Sequence, residues 1–200
     1  MDKEIDMRGK PCPVPVLQTK KALENTKGGT IITIVDNDVA KENISKLAKS
    51  MNLKAEIKEA KGDFYIEIYK EGDIQLSEGL EFPSKTQRNE DLAILITKDT
   101  LGEGNRELGE VLMKGYIYTL TEASKMPRRL LFLNAGVRLT VEGSAVIDHL
   151  RNLEEKGVEI LSCGTCLDFY KVKNQLLVGG IGNMYDIVEK SNAAKKTITL

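Results

Sequence analysis

The sequence is poor in the residues that most often reveal chemistry. It holds one histidine and three cysteines in 200 residues. One histidine and three scattered thiols offer no local spacing for a four-ligand zinc site. Three cysteines at this length also make no disulfide framework of the kind that staples small secreted domains. No run of eighteen apolar residues occurs, so no stretch reads as a membrane-spanning helix. The opening Met1-Asp2-Lys3-Glu4 lacks the charged-then-apolar pattern of a signal peptide, and the expectation is a cytoplasmic protein. An excess of one charge is missing too: 29 basic groups stand against 30 acidic ones. With no global field to attract them, neither nucleic acid nor an anionic membrane is an expected partner.

What is present looks like an ordinary globular chain, 41% hydrophobic and 30% charged. Glu4-Ile5-Asp6-Met7 reads as a first strand, and a helix follows from about Pro13 to Asn25, stopped by Lys27-Gly28-Gly29. Thr30 to Val35 is β-branched almost throughout and reads as a buried strand. Asp36-Asn37-Asp38 offers caps for a second helix, Val39 to Met51, with Ile44, Leu47, Ala48 and Met51 on one face. Two alternating strands around Lys61-Gly62-Asp63 make a hairpin. The order β-α-β-α-β-β closes a two-layer sandwich over residues 1–70.

Residues 71–89 carry two glycines, Pro83 and no sustained periodicity, and read as a linker. From residue 90 to 200 strands alternate with helices, which implies a mostly parallel α/β sheet covered on both faces in three layers. Function in such sheets gathers at the carboxyl ends of the strands. Those ends are expected at 97–104, 134–139 and 162–166.

Two thiol sites follow. Cys12 lies in Pro11-Cys12-Pro13-Val14-Pro15 at a helix start, with Arg8 and Lys10 nearby. Reading Cys12 as the N-cap puts Pro13 at the first helical position and Pro15 at the third, both tolerated in the first turn. The sulfur would then sit at the positive end of the helix, with Val14 N–H as its remaining local donor. That setting suits a nucleophile better than a packing residue. The second site is Cys163-Gly164-Thr165-Cys166, at a strand end entering a short helix over Leu167 to Val172. It could be half a metal site, a redox dithiol or a coincidence; the strand–turn–helix context favours the dithiol over zinc.

Three other features take ordinary readings. Gly102-x-Gly104 is a tight strand–helix turn rather than a phosphate loop, since the lysine-serine pair is missing. His149 is a surface histidine with no nucleophile in sequence reach. Lys20-Lys21 and Lys195-Lys196 are solvated faces, the first pair also suiting an acidic donor protein.

Asp6-x-Arg8-Gly9-x-x-Cys12-Pro13-x-Pro15 in a β-α-β-α-β-β domain resembles the TusA/SirA sulfur-carrier family. Residues 90–200 resemble the DsrE-like family through Asn134-Ala135-Gly136-Val137, Cys163 to Tyr170 and Asn183-Met184-Tyr185-Asp186. The pairing of the two halves is similar to YedF-type proteins, a group associated with selenium metabolism. The resemblance implies that Cys12 carries sulfur, or selenium, as a persulfide, and that Cys163 or Cys166 forms a second relay site. It implies a protein donor of the cysteine desulfurase type and an acceptor protein, and is compatible with a homo-oligomer through the DsrE-like half. Thiolate attack on a sulfane atom calls for no cofactor and no metal. The competing expectations are a thiol-disulfide oxidoreductase or redox sensor built on Cys163 and Cys166, and a non-catalytic docking module.

Overall fold

The computed structural model describes residues 3–70 and 87–200, the side chains of residues 87–91 excepted. The chain divides into two compact units, Met1–Glu81 and Phe82–Leu200. The expected linker, 71–89, lies outside the described residues up to 86. Its last three residues instead begin a strand, because Gln87, Arg88 and Asn89 pair with Lys125, Met126 and Pro127.

In the first unit β1 (Lys3–Asp6) leads through α1 (Val14–Asn25) to β2 (Gly29–Val35). Then come α2 (Asp38–Ser50), β3 (Lys54–Ala60) and β4 (Asp63–Lys70). The sheet order is β1-β2-β4-β3, with β1 parallel to β2 and the hairpin antiparallel. Lys61 and Gly62 take φ of 56° and 85°, the double positive φ of a tight two-residue hairpin turn. Alternation puts Ile31, Thr33 and Val35 of β2 opposite Ile68, Ile66 and Phe64 of β4. Ile31, Val35, Ile66 and Ile68 bury against Ala22 and Leu23 of α1 and Ile44 and Ala48 of α2. Thr33 interrupts this apolar face. Its hydroxyl lies 3.0 Å from that of Thr19, which donates to Pro15 O at 2.8 Å, so both buried hydroxyls are satisfied.

Both caps of α1 differ from the sequence expectation, though its last residue, Asn25, does not. The helix begins at Val14 with Pro13 as N-cap, so Cys12 stands one residue outside the cap. Val14 N–H turns back to Pro11 O at 3.0 Å, closing a turn whose third residue is the cis proline Pro13. At the other end the helix stops at Thr26 rather than at the glycines, which belong to the approach and start of β2. Lys70 Nζ donates to Leu23 O at 2.9 Å and Thr26 O at 2.7 Å, filling carbonyls that a C-terminus leaves open.

The second unit is a parallel sheet in the order β8-β7-β6-β5-β9. Its strands are β5 (Gln87–Ile96), β6 (Lys125–Phe132), β7 (Glu159–Cys163), β8 (Gly180–Gly182) and β9 (Lys196–Thr199). The helices are α3 (Arg106–Thr121), α4 (Ile147–Glu155), α5 (Gly164–Phe169) and α6 (Met184–Asn192). Alternate strand residues face opposite layers. Ile94, Leu130, Phe132 and Ile160 bury against Met113, Ile117, Leu150 and Leu153 of α3 and α4. Leu131 and Cys163 pack with Ile187 of α6 on the other face. The result is the three-layer α/β architecture expected. Two helices differ from the sequence expectation: the one expected over 143–156 is α4, Ile147–Glu155, after a 3-10 turn at 134–140, and α5 starts at Gly164 instead of Leu167. Gly164 packs closely on β8, where a Cβ would meet Ile181 Cγ2 at 3.0 Å. Among the described residues no helix is long and apolar enough to cross a membrane.

Replacing Lys70 with Met should lower the stability of the first unit by about 1 kcal/mol, the worth of one charge-assisted cap at a helix end. Hydrogen exchange measured by mass spectrometry should speed up in the last turn of α1 and stay unchanged in 159–200.

Candidate functional site

The loop that carries Cys12 hangs from three neighbouring strand ends. Arg8 makes a two-pronged contact with Asp6, Nε to Oδ1 at 2.9 Å and Nη2 to Oδ2 at 2.6 Å, and its Nη1 reaches Asp63 Oδ2 at 2.9 Å. Asp6 closes β1 and Asp63 opens β4, so one guanidinium spans both. Asp36, just past β2, accepts Gly9 N–H at 2.7 Å and Asn37 Nδ2 at 3.0 Å. Gly9 sits at φ +67° in a turn closed by Lys10 N–H to Met7 O, a conformation glycine adopts without steric cost. Cys12 follows, free and exposed.

Arg8 therefore does a different job from the one its position suggests. Its charge is spent on Asp6 and Asp63. Val14 N–H, the expected local donor to the sulfur, is taken by Pro11 O. The Arg8 hydrogen bonds hold Asp6 down at about 2, against an ordinary 3.8. Asp36 is also lowered, first by the Asn37 amide and then by Gly9 N–H. Because the folded value of Asp6 is depressed, its contribution to the loop is complete above the ordinary carboxylate value. It is lost as pH falls through about 2. Carboxyl chemical shifts should show Asp6 titrating near 2 in the native chain and moving toward 3.8 in Arg8→Met. An unchanged midpoint in that variant would rule out the pair as the cause.

The second thiol site lies at the carboxyl ends of β5, β6 and β7, where an α/β sheet gathers function. Cys163 is the last residue of β7 and the N-cap of α5; Cys166 is one turn further on, so their sulfurs share a face. Both are free thiols. Cys163 is only 2% exposed, while Cys166 is half-buried and accepts Asn134 N–H at its Sγ, 3.1 Å away. Burial pushes the Cys166 thiol up, a hydrogen bond with Cys163 adds to that, and the Asn134 amide pulls the other way. Tyr170 O–H donates to Asn134 Oδ1 at 2.7 Å, and the Arg138 guanidinium lies 4.5 Å over the Tyr170 ring. Asp99 pairs with Arg106 at 2.9 Å and stands 3.6 Å from Arg138.

Behind the site a buried hydroxyl pair, Thr140 and Ser162 at 2.9 Å, fastens the 3-10 turn to β7 beside Cys163. Gly136 seats the same turn on β5, since a Cβ there would come within 2.1 Å of Ile96 O. The sequence reading placed both cysteines at this strand end but missed Asn134 as donor and Tyr170 as its partner. A backbone N–H carries no side-chain signature. The available hint was an asparagine at a strand end, which adopts φ +47°. His149, the lone histidine, is partly buried with its ring 4.9 Å from that of Tyr118. Gly102 and Gly104, at φ +82° and +120°, make the strand–helix turn.

Comparison with known proteins follows the same division. Residues 3–70 match the family described as Sulfurtransferase TusA, and residues 120–200 match the DsrE/DsrF-like family. A protein of Thermotoga maritima named "Putative sulfur carrier protein" is 42% identical over 50 residues, 24% of this chain and 63% of that protein. A sulfur carrier so named in Methanocaldococcus jannaschii is 47% identical over 49 residues, 24% of this chain and 65% of that one. The chain thus spans less than two thirds of either relative. A solved SirA-like protein from Desulfitobacterium hafniense is 35% identical, covering 34% of this chain and 96% of its own, with a TM-score of 0.32. The ychN protein from E. coli is 17% identical, covering 56% of this chain and 99% of its own, with a TM-score of 0.40. The chain thus pairs a segment that matches the TusA family, residues 3–70, with one that matches the DsrE/DsrF-like family, residues 120–200.

Proposed function

We propose that this protein carries a sulfane sulfur, or selenium in its place, as a persulfide on Cys12 and relays it between partner proteins. The observation that supports this is the setting of Cys12: an exposed thiol on a loop pinned by Arg8, Asp6, Asp63 and Asp36, in a domain of a sulfur-carrier family. An exposed thiol at a helix start can be reached by another protein's active site, whereas a buried one cannot. The step is an exchange at sulfur. The Cys12 thiolate attacks the sulfane atom of a donor persulfide, a new S–S bond forms, and the donor leaves as its thiolate. Handing the atom on repeats the exchange with the acceptor's thiolate. No oxidant is consumed, and neither a metal nor a nucleotide enters the step.

The donor class that fits is a cysteine desulfurase, and the acceptor is a further protein thiol. The carrier domain within residues 1–70 and the α/β domain from β5 to Leu200 would act as two thiol stations joined by the intervening segment. Three free thiols suit a reducing compartment, the cytoplasm. A second reading draws on the spacing of Cys163 and Cys166, one turn apart at the start of α5, which suits a disulfide and so redox sensing. It predicts a Cys163–Cys166 disulfide that forms equally well in Cys12→Ser.

Incubation of the full chain with a cysteine desulfurase and cysteine should add one sulfur atom to the intact mass, removable by a reducing thiol. Peptide mapping should place that atom on Cys12. Cys12→Ser should lose the addition there, and selenocysteine offered in place of cysteine tests selenium loading. A wild-type chain that gains no sulfur, or a serine variant that gains as much, would sink the carrier reading.

A further inference from the structure

The two cysteines of the C-terminal unit have unlike surroundings, and the difference ranks them. Cys163 packs between Leu131 and Ile187 and is 2% exposed. A thiol in such apolar surroundings behaves as a small hydrophobe. Cys166 reaches partial exposure and receives Asn134 N–H at 3.1 Å. A backbone N–H aimed at sulfur favours the thiolate over the thiol.

That amide points at the sulfur because Asn134, two residues past the end of β6, holds φ +47°. The left-handed conformation costs an L-residue energy, less for asparagine than for most, and it persists where neighbours over-determine it. Three neighbours do so here. Leu133 N–H donates to Ile96 O at 3.0 Å, and Gly136 packs against the same carbonyl too closely for any side chain. Tyr170 O–H fixes the Asn134 side chain at 2.7 Å, itself steadied by the Arg138 guanidinium over its ring. The first two contacts seat the backbone of the turn; the third acts on Asn134 itself.

Resting on the relay reading above, we infer that Cys166 is the sulfur-accepting thiol of this unit and that Tyr170 is a positioning residue keeping the Asn134 amide aimed at it. Cys166 gives its proton to solvent and its thiolate attacks the sulfane atom of an incoming persulfide. The donor's S–S bond breaks, the donor departs as a thiolate, and the atom stays as a Cys166 persulfide. Tyr170 touches neither sulfur; it acts through Asn134.

Alkylation of the full chain by iodoacetamide across a pH series, read by peptide mass spectrometry, tests the positioning role. Cys166 should be labelled before Cys163. Tyr170→Phe should slow labelling of Cys166 by about three- to tenfold near neutral pH, the worth of one mis-aimed hydrogen bond. It should also move the pH profile of Cys166 upward and leave the rate at Cys12 unchanged. Asn134→Gly keeps the N–H and tolerates the left-handed backbone but lacks the acceptor, so it should behave as Tyr170→Phe does. Labelling of Cys163 first, or wild-type labelling of Cys166 in both variants, overturns the inference. Incubation with inorganic polysulfide separates the two proposals. Sulfur on Cys12 without Cys166 overturns this one and supports the carrier, whereas sulfur on Cys166 without Cys12 does the reverse.

Discussion

One guanidinium organises the N-terminal thiol loop. Arg8 gathers the carboxylates of Asp6 and Asp63, and Asp36 takes the next amide along. The three acids stand at adjoining ends of β1, β4 and β2, which are neighbours in the sheet. Each pair is solvent-exposed and individually worth little in stability. Their value is geometric: a planar fork meeting a carboxylate on two prongs fixes direction as well as distance. Without it, only the Asp36 contact to Gly9 N–H and the Met7–Lys10 turn would hold the approach to Cys12. The fork also explains why a cation so close to a thiol in sequence is not its electrostatic partner.

Behind each thiol site lies a pair of buried hydroxyls. Thr19 and Thr33 join α1 to β2, and Thr140 and Ser162 join the 3-10 turn to β7. In both pairs the donated hydrogen bonds run on to a backbone carbonyl, Pro15 O or Val137 O, so no polar atom is stranded. An apolar contact would bury the same surface but tolerate sliding, because hydrophobic packing has no direction. Hydroxyl pairs fix how α1 sits on β2 and how the 3-10 turn sits on β7. Two unrelated folds in one chain arrive at the same solution.

Much of this architecture was legible in the residues. The β-branched run Thr30–Val35, the spacing of Ile44, Ala48 and Met51, and the alternation around Lys61-Gly62 placed the N-terminal elements within a residue or two. The places where the reading slipped were governed by contacts distant in sequence. Pro13 rather than Cys12 caps the start of α1, where Pro11 O captures Val14 N–H, and its end at Asn25 needs no glycine because Lys70, across the sheet, fills the open carbonyls. The start of β5 moved because a parallel neighbour, β6, extends it. At the second site the cysteines announced themselves, but the group that distinguishes them is a main-chain amide. Its aim depends on a left-handed asparagine and a tyrosine 36 residues away, and no periodicity encodes that.

The exposure of Cys12 has a consequence for timing. A terminal sulfur on that residue would project from a loop whose nearest helical amide is already engaged by Pro11. On the carrier reading proposed above, the N-terminal unit by itself would offer that sulfur little shelter, and small thiols in solution could reach it as well as a docking acceptor. Delivery would then depend on encounter being faster than scavenging. A loaded form of this kind would act as a short-lived messenger, its useful range set by how far it diffuses before water-borne reductants strip it.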